Sequence, residues 1–141
     1  MSTVNLEVVQ SVMANWERGD FRTTDWADPE IEYVIADGPA PGSWTGLGGT
    51  VEGVRSILST WEEFRVEADQ YQELDDERIL VLTHISGRGK TSGMDLRQLW
   101  TKSANVFHVR GGKVTRIVAY FDRDRALADV GLPVEGGSSS A

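Results

Sequence analysis

The chain has 141 residues, the length of one ordinary domain, enough to bury roughly 70% of its unfolded surface and to hold a pocket beside its core. With 40% hydrophobic and 26% charged residues it is neither disordered nor low-complexity. Its 22 acidic against 14 basic side chains give a net charge of −8, which repels a nucleic-acid backbone or an anionic membrane. There is no cysteine, so disulfides, thiol nucleophiles and Cys-built metal clusters are excluded.

Residues Met1 to Glu7 lack the basic and apolar blocks of a signal peptide, and no stretch approaches about 18 uninterrupted apolar residues. The expectation is an unexported, cytoplasmic chain with no membrane span. From Val4 to Trp16, apolar residues at Leu6, Val9, Val12, Met13 and Trp16 recur every three or four positions and predict a helix, with Ser2 or Thr3 able to cap it and Gly19 ending it. Ile31 to Ala36 is β-branched and aromatic and predicts a strand. Asp37 to Gly49 holds five glycines and two prolines around Trp44 and reads as a long loop, a kind of segment that is disproportionately functional. Thr50 is placed to cap a second helix whose face carries Val54, Ile57, Leu58 and Trp61.

After Phe64 four extended segments follow, at about 65–74, 78–87, 96–109 and 113–121. Gly111-Gly112 supplies the positive φ angles of a two-residue hairpin turn between the last two. A short helix at about 122–130, with Asp122 as its N-cap, stops at Gly131 and Pro133. The domain spans 1–132, and 133–141 reads as a flexible tail. Helices segregated from antiparallel strands predict an α+β fold in which helices cover one face of a bent sheet.

Residues Val8-Val9-Gln10, Trp16-Glu17-Arg18-Gly19-Asp20, Trp44-Thr45-Gly46, Arg110-Gly111-Gly112-Lys113-Val114 and Tyr120-Phe121-Asp122-Arg123 stand in an order and spacing that resemble the nuclear-transport-factor-2-like (NTF2-like) superfamily, and within it the SnoaL-like polyketide cyclase and ketosteroid-isomerase-like branch. The resemblance covers about residues 4–132. It implies a conical barrel, in which a curved mixed or antiparallel sheet wraps long N-terminal helices around an internal pocket. It also implies that the chain is a homodimer formed through the outer sheet face near Arg97. The function it implies is a cofactor-independent enzyme of the cyclase or isomerase kind, moving a proton on a small hydrophobic carbonyl substrate. The alternative is a non-catalytic ligand-binding or dimerisation module, since the fold hosts both.

Asp37 is the candidate general base, because a carboxylate against apolar walls acquires the raised pKa that proton abstraction from carbon needs; the competing reading is an Asp that only turns the loop. His84, in mid-strand, is either a satisfied core group or a pocket acid/base. By resemblance, His84 and Ser86, which share a face with Leu80 and Leu82, point into the cone together with Tyr33, Asn105, Phe107 and Ala119. Trp16, Trp61 and Trp44 could line a cavity for a flat apolar ligand or belong to the core. Where the isomerase pattern has a helix-one tyrosine this chain has Val12, and the acid of that pattern falls near Asn105. The epoxide-hydrolase set falls on Ala119, His84 and Ser86, which removes that reaction. Gly89-Lys90-Thr91 lacks the rest of a P-loop, Gly46-Leu47-Gly48-Gly49 lacks a dinucleotide fingerprint, and two histidines 24 residues apart argue against a protein-built metal site.

Overall fold

A computed structural model describes residues 3–38, 41–59, 61–89 and 99–133. The elements run α1 (Thr3–Glu17), β1 (Ala27–Ile35), β2 (Gly42–Thr45), α2 (Gly46–Leu58), β3 (Trp61–Glu73), β4 (Arg78–Gly89), β5 (Leu99–Arg110), β6 (Lys113–Tyr120) and α3 (Arg123–Asp129). The strands form one six-stranded sheet in the order β2-β1-β6-β5-β4-β3. It is mixed, because β1 pairs parallel to β6 while the other neighbours are antiparallel. The sheet is open: the edge strands β2 and β3 do not pair, so the expected α+β cone is a curved trough and not a closed barrel.

The predicted stripe on α1 is real. Val9, Val12, Met13 and Trp16 are buried against the inner face of the sheet, with Ile31, Ile79, Val81, Phe107, Val109 and Ile117. The turn predicted at Gly111-Gly112 has φ of 61° and 79°, the left-handed pair a tight hairpin needs, and joins β5 to β6. Helix α3 packs on the other side of the sheet, where Ala126 and Leu127 bury Leu80, Leu82, Ala104 and Val106. Its Asp122 N-cap accepts a hydrogen bond from the Asp124 amide, as expected. Val130 and Leu132 extend that cluster.

Two expectations are corrected. The segment 37–49 is not one loop: Gly42–Thr45 pairs with β1, and α2 begins at Gly46 with Thr45 at its cap position. Thr50 is therefore inside the helix, its hydroxyl donating to the Gly46 carbonyl. The helix ends at Leu58, so Trp61 does not extend its face; Trp61 opens β3 opposite Gly89. Helical spacing alone could not reveal this, because the residue after a helix end fits the same i+3 period by chance. The Trp61 side chain, Ser2, Lys90-Thr91, Arg97 and 134–141 lie outside the described residues. No helix among the described residues is long and apolar enough to cross a membrane.

Candidate functional site

Between α1, α2 and the inner face of the sheet lies a cleft of about 470 Å³, its solvent-open mouth included. Curvature of the sheet and the seating of α2 produce it. Tyr33 on β1 and Trp44 on β2 sit side by side on the inner face, ring centroids 6.2 Å apart, and α2 lies directly on them at Gly53. A Cβ at Gly53 would be 2.6 Å from the Tyr33 ring. Only glycine lets the helix approach this closely, and the approach leaves Val54 and Ile57 as one wall of the cleft. The aromatic side chains of Trp16, Phe21, Phe64 and Phe121 contribute to the other walls.

Among the described residues the lining contains no carboxylate, imidazole, amine or guanidinium. Its polar groups are the Tyr33 and Tyr120 hydroxyls, Ser103 and Asn105. Two of these are already engaged: Ser103 shares a 2.7 Å hydrogen bond with Thr83, and the Tyr120 hydroxyl donates to Asp129 of α3. Burial and the Asp129 contact push the Tyr120 pKa up to about 12. The other two are uncommitted. Tyr33 is 3% and Asn105 7% exposed, and neither side chain has a hydrogen-bond partner among the described residues. Burial pushes the Tyr33 phenol further above its usual range, so it stays a neutral donor. Asn105 sits between Ala119 on β6 and Val81 on β4, small or apolar neighbours that leave its carboxamide facing the cleft.

Of the residues singled out from the sequence, Tyr33, Trp16, Asn105 and Ala119 are brought together here. Trp44 backs the Tyr33 ring and is not in the lining, and Phe107 lies fully buried beneath Trp16, ring centroids 5.8 Å apart. His84 and Ser86 are not in the cleft. They do share a face with Leu80 and Leu82, but that face is the outer one under α3, whereas Ile79, Val81 and Ile85 face inward. The His84 ring is held between two carboxylates of β3, Nδ1 2.8 Å from Asp69 and Nε2 2.8 Å from Glu67. Asp69 is the extra residue of a β-bulge, and Arg123 of α3 reaches it at 2.9 Å while also donating to the Ser103 and Thr83 carbonyls. Burial raises the Asp69 pKa, but the bonds from Arg123 and His84 outweigh it and the carboxyl is held below its ordinary value.

Asp37 leaves β1 at the rim of the cleft. Both of its carboxylate oxygens are taken by backbone: one accepts from the Phe121 amide, the other from the Asp122 amide at 3.3 Å. The next residue, Gly38, packs so closely on the Phe121 ring that a Cβ there would fall 2.5 Å from it. Asp37 thus pins the β6–α3 corner and sets Phe121 as a cleft wall. Phe121 lines the cleft as its strand parity with Ala119 implied, whereas Phe21, Phe64 and Ser103 were not foreseen as lining residues. Ser103 was legible, since it shares strand parity with Asn105; Phe64 was hidden by its assignment to a helix that ends earlier. Among the described residues no cluster of His, Asp or Glu could hold a metal ion.

No family model matches the sequence, and it matches no curated protein. Solved structures do match it in shape. An NTF2-like protein of unknown function from Burkholderia pseudomallei K96243 superposes with a TM-score of 0.73 at 20% identity, over 89% of this chain and 96% of that one. TerC, co-crystallised with polyporic acid, gives 0.72 at 19% identity, over 91% and 98%. A protein from Catenulispora acidiphila DSM 44928 with a ketosteroid isomerase-like fold, in complex with trimethylamine, gives 0.66 at 17%, over 94% and 96%. Further neighbours are described as polyketide-cyclase candidates and as an LEH-like epoxide hydrolase. With its open mixed sheet, its two inner helices and the cleft between them, this chain has the NTF2-like fold.

Proposed function

We propose that this protein binds a compact, uncharged and mainly apolar molecule carrying a carbonyl or hydroxyl oxygen in the cleft between α1, α2 and the sheet. One observation carries the reading: in an otherwise apolar wall, the Tyr33 hydroxyl and the Asn105 carboxamide open onto the cleft with no hydrogen-bond partner among the described residues. Polar groups that face a cleft without a protein partner are free to bond a ligand oxygen, each such bond being worth about 0.5–1.5 kcal/mol net of the water it replaces. Among the described residues the lining is uncharged and gives a carboxylate or ammonium no partner for its lost hydration. Two fold neighbours were crystallised with small molecules, polyporic acid and trimethylamine, which supports a small-molecule role.

A cyclase- or isomerase-like enzyme is the second reading. What favours it is the position of Asp37, whose carboxylate stands at the rim and is bonded to the amide of a cleft residue. His84 offers it no support, since it lies on the opposite face of the sheet. Calorimetric titration with alpha-tetralone and with naphthoate tests the binding reading. The ketone binds wild type, the carboxylate binds at least about tenfold more weakly, and Ala119→Leu, which fills the cleft floor, removes ketone binding. Equal binding to wild type and Ala119→Leu would refute it. A turnover scan of enolisable ketones with wild type and Asp37→Asn decides the second reading: no turnover, or turnover untouched by the substitution, removes Asp37 as a base.

A further inference from the structure

We infer that Asn105 makes the cleft selective for ligands that present a hydrogen-bond donor and an acceptor side by side on one edge, as a ring lactam does, over simple ketones of the same shape. This rests on the binding role proposed above and names the chemistry of its ligand. A carboxamide is uncharged and carries a donor and an acceptor side by side in one plane, and its full complement is a neighbouring acceptor and donor, the pairing by which Asn reads adenine edges. Among the described lining residues Tyr33 and Asn105 keep their polar atoms free, since Ser103 is spent on Thr83 and the Tyr120 hydroxyl on Asp129, and of the two only Asn105 carries its donor and acceptor on separate neighbouring atoms.

The surroundings of Asn105 favour a two-point contact. It is 7% exposed, so a ligand seated over it shuts out the water that would otherwise satisfy the half a ketone leaves unpaired. A ketone oxygen occupies the amide N–H and strands the carbonyl; a lactam occupies both. The cross-strand neighbour Ala119 is small enough to leave room over the carboxamide, and Phe107 below it is fully buried against Trp16, which closes that side to solvent. Tyr33 lies on β1, with β6 between it and β5, so its hydroxyl serves a different part of the ligand and does not compete for the same edge. The flat aromatic walls of Trp16, Phe21, Phe64 and Phe121 suit a fused bicyclic body.

The test compares dihydroisoquinolinone, a bicyclic lactam, with alpha-tetralone, in which a methylene replaces the N–H, on wild type and Asn105→Leu. Leucine keeps the branched shape and removes both polar atoms. Wild type is expected to prefer the lactam by about tenfold, the worth of one added hydrogen bond, and Asn105→Leu to lose that preference while still binding the ketone. Retained ketone binding reports an intact cleft; Asn105→Ala repeats the comparison if the leucine variant does not fold. Equal affinity of wild type for the two compounds, or an undiminished lactam preference in the variants, overturns the inference and leaves the binding role standing. Failure of wild type to bind either compound overturns both.

Discussion

Replacing Gly53 by alanine tests the seating of α2, and through it the origin of the cleft. In an ordinary helix interior the exchange stabilises by about 0.5–1 kcal/mol, because glycine loses more backbone entropy on folding. Here the added methyl would stand 2.6 Å from Cδ2 of Tyr33 and 2.8 Å from Cε3 of Trp44, closer than carbon atoms approach one another. Tyr33 is 3% exposed and cannot swing into solvent, so the helix or the sheet must give, at an overpacking cost of about 1–3 kcal/mol. Gly53→Ala should therefore be destabilised by about 1 kcal/mol net of the helical gain. Gly48, in the same helix, has nothing within 4 Å of the position of its missing Cβ. Gly48→Ala should accordingly gain up to about 1 kcal/mol, and the two variants should differ by roughly 3–6 °C in Tm for a domain of this size. Urea unfolding and thermal melts measure both, and tetralone affinity in Gly53→Ala should fall as the Tyr33 ring is displaced. A Gly53→Ala variant as stable as Gly48→Ala would show that α2 does not rest on the Tyr33–Trp44 pair.

Removing the Asp37 carboxylate should loosen the β6–α3 corner. Asp37→Ala leaves the Phe121 and Asp122 amides without their acceptor and is expected to lower unfolding free energy by about 1–3 kcal/mol in urea, with an unchanged stability counting against the clasp. The Asp69 carboxyl titrates below its usual value in the folded chain, so its contribution is fully present above the unfolded pKa near 3.8 and disappears as pH falls through the lower folded value. The stability gap between wild type and Asp69→Asn should thus shrink as pH falls below about 4; a gap that widens below that pH would contradict the bond drawn to Arg123.

Local chemistry in the chain was enough to set the first helix, the four long strands, the Gly111-Gly112 hairpin and the Asp122 cap, because each depends on residues a few positions apart. Strand parity was likewise legible: Asn105 shares its face with Ser103 and Phe107, and His84 shares its face with Leu80 and Leu82. Which face looks into the cleft was not. Strand β4 is apolar on both sides, since α3 covers Leu80 and Leu82 while α1 and the inner core cover Ile79 and Val81, and alternation carries no sign when both faces are buried. The partners of Asp37 are backbone amides 84 and 85 residues away, and the bulge that aims Asp69 at His84 exists only once β3 pairs with β4. Long-range pairing decided both, and with them which polar groups are spent on the fold and which, at Tyr33 and Asn105, are left without a partner among the described residues.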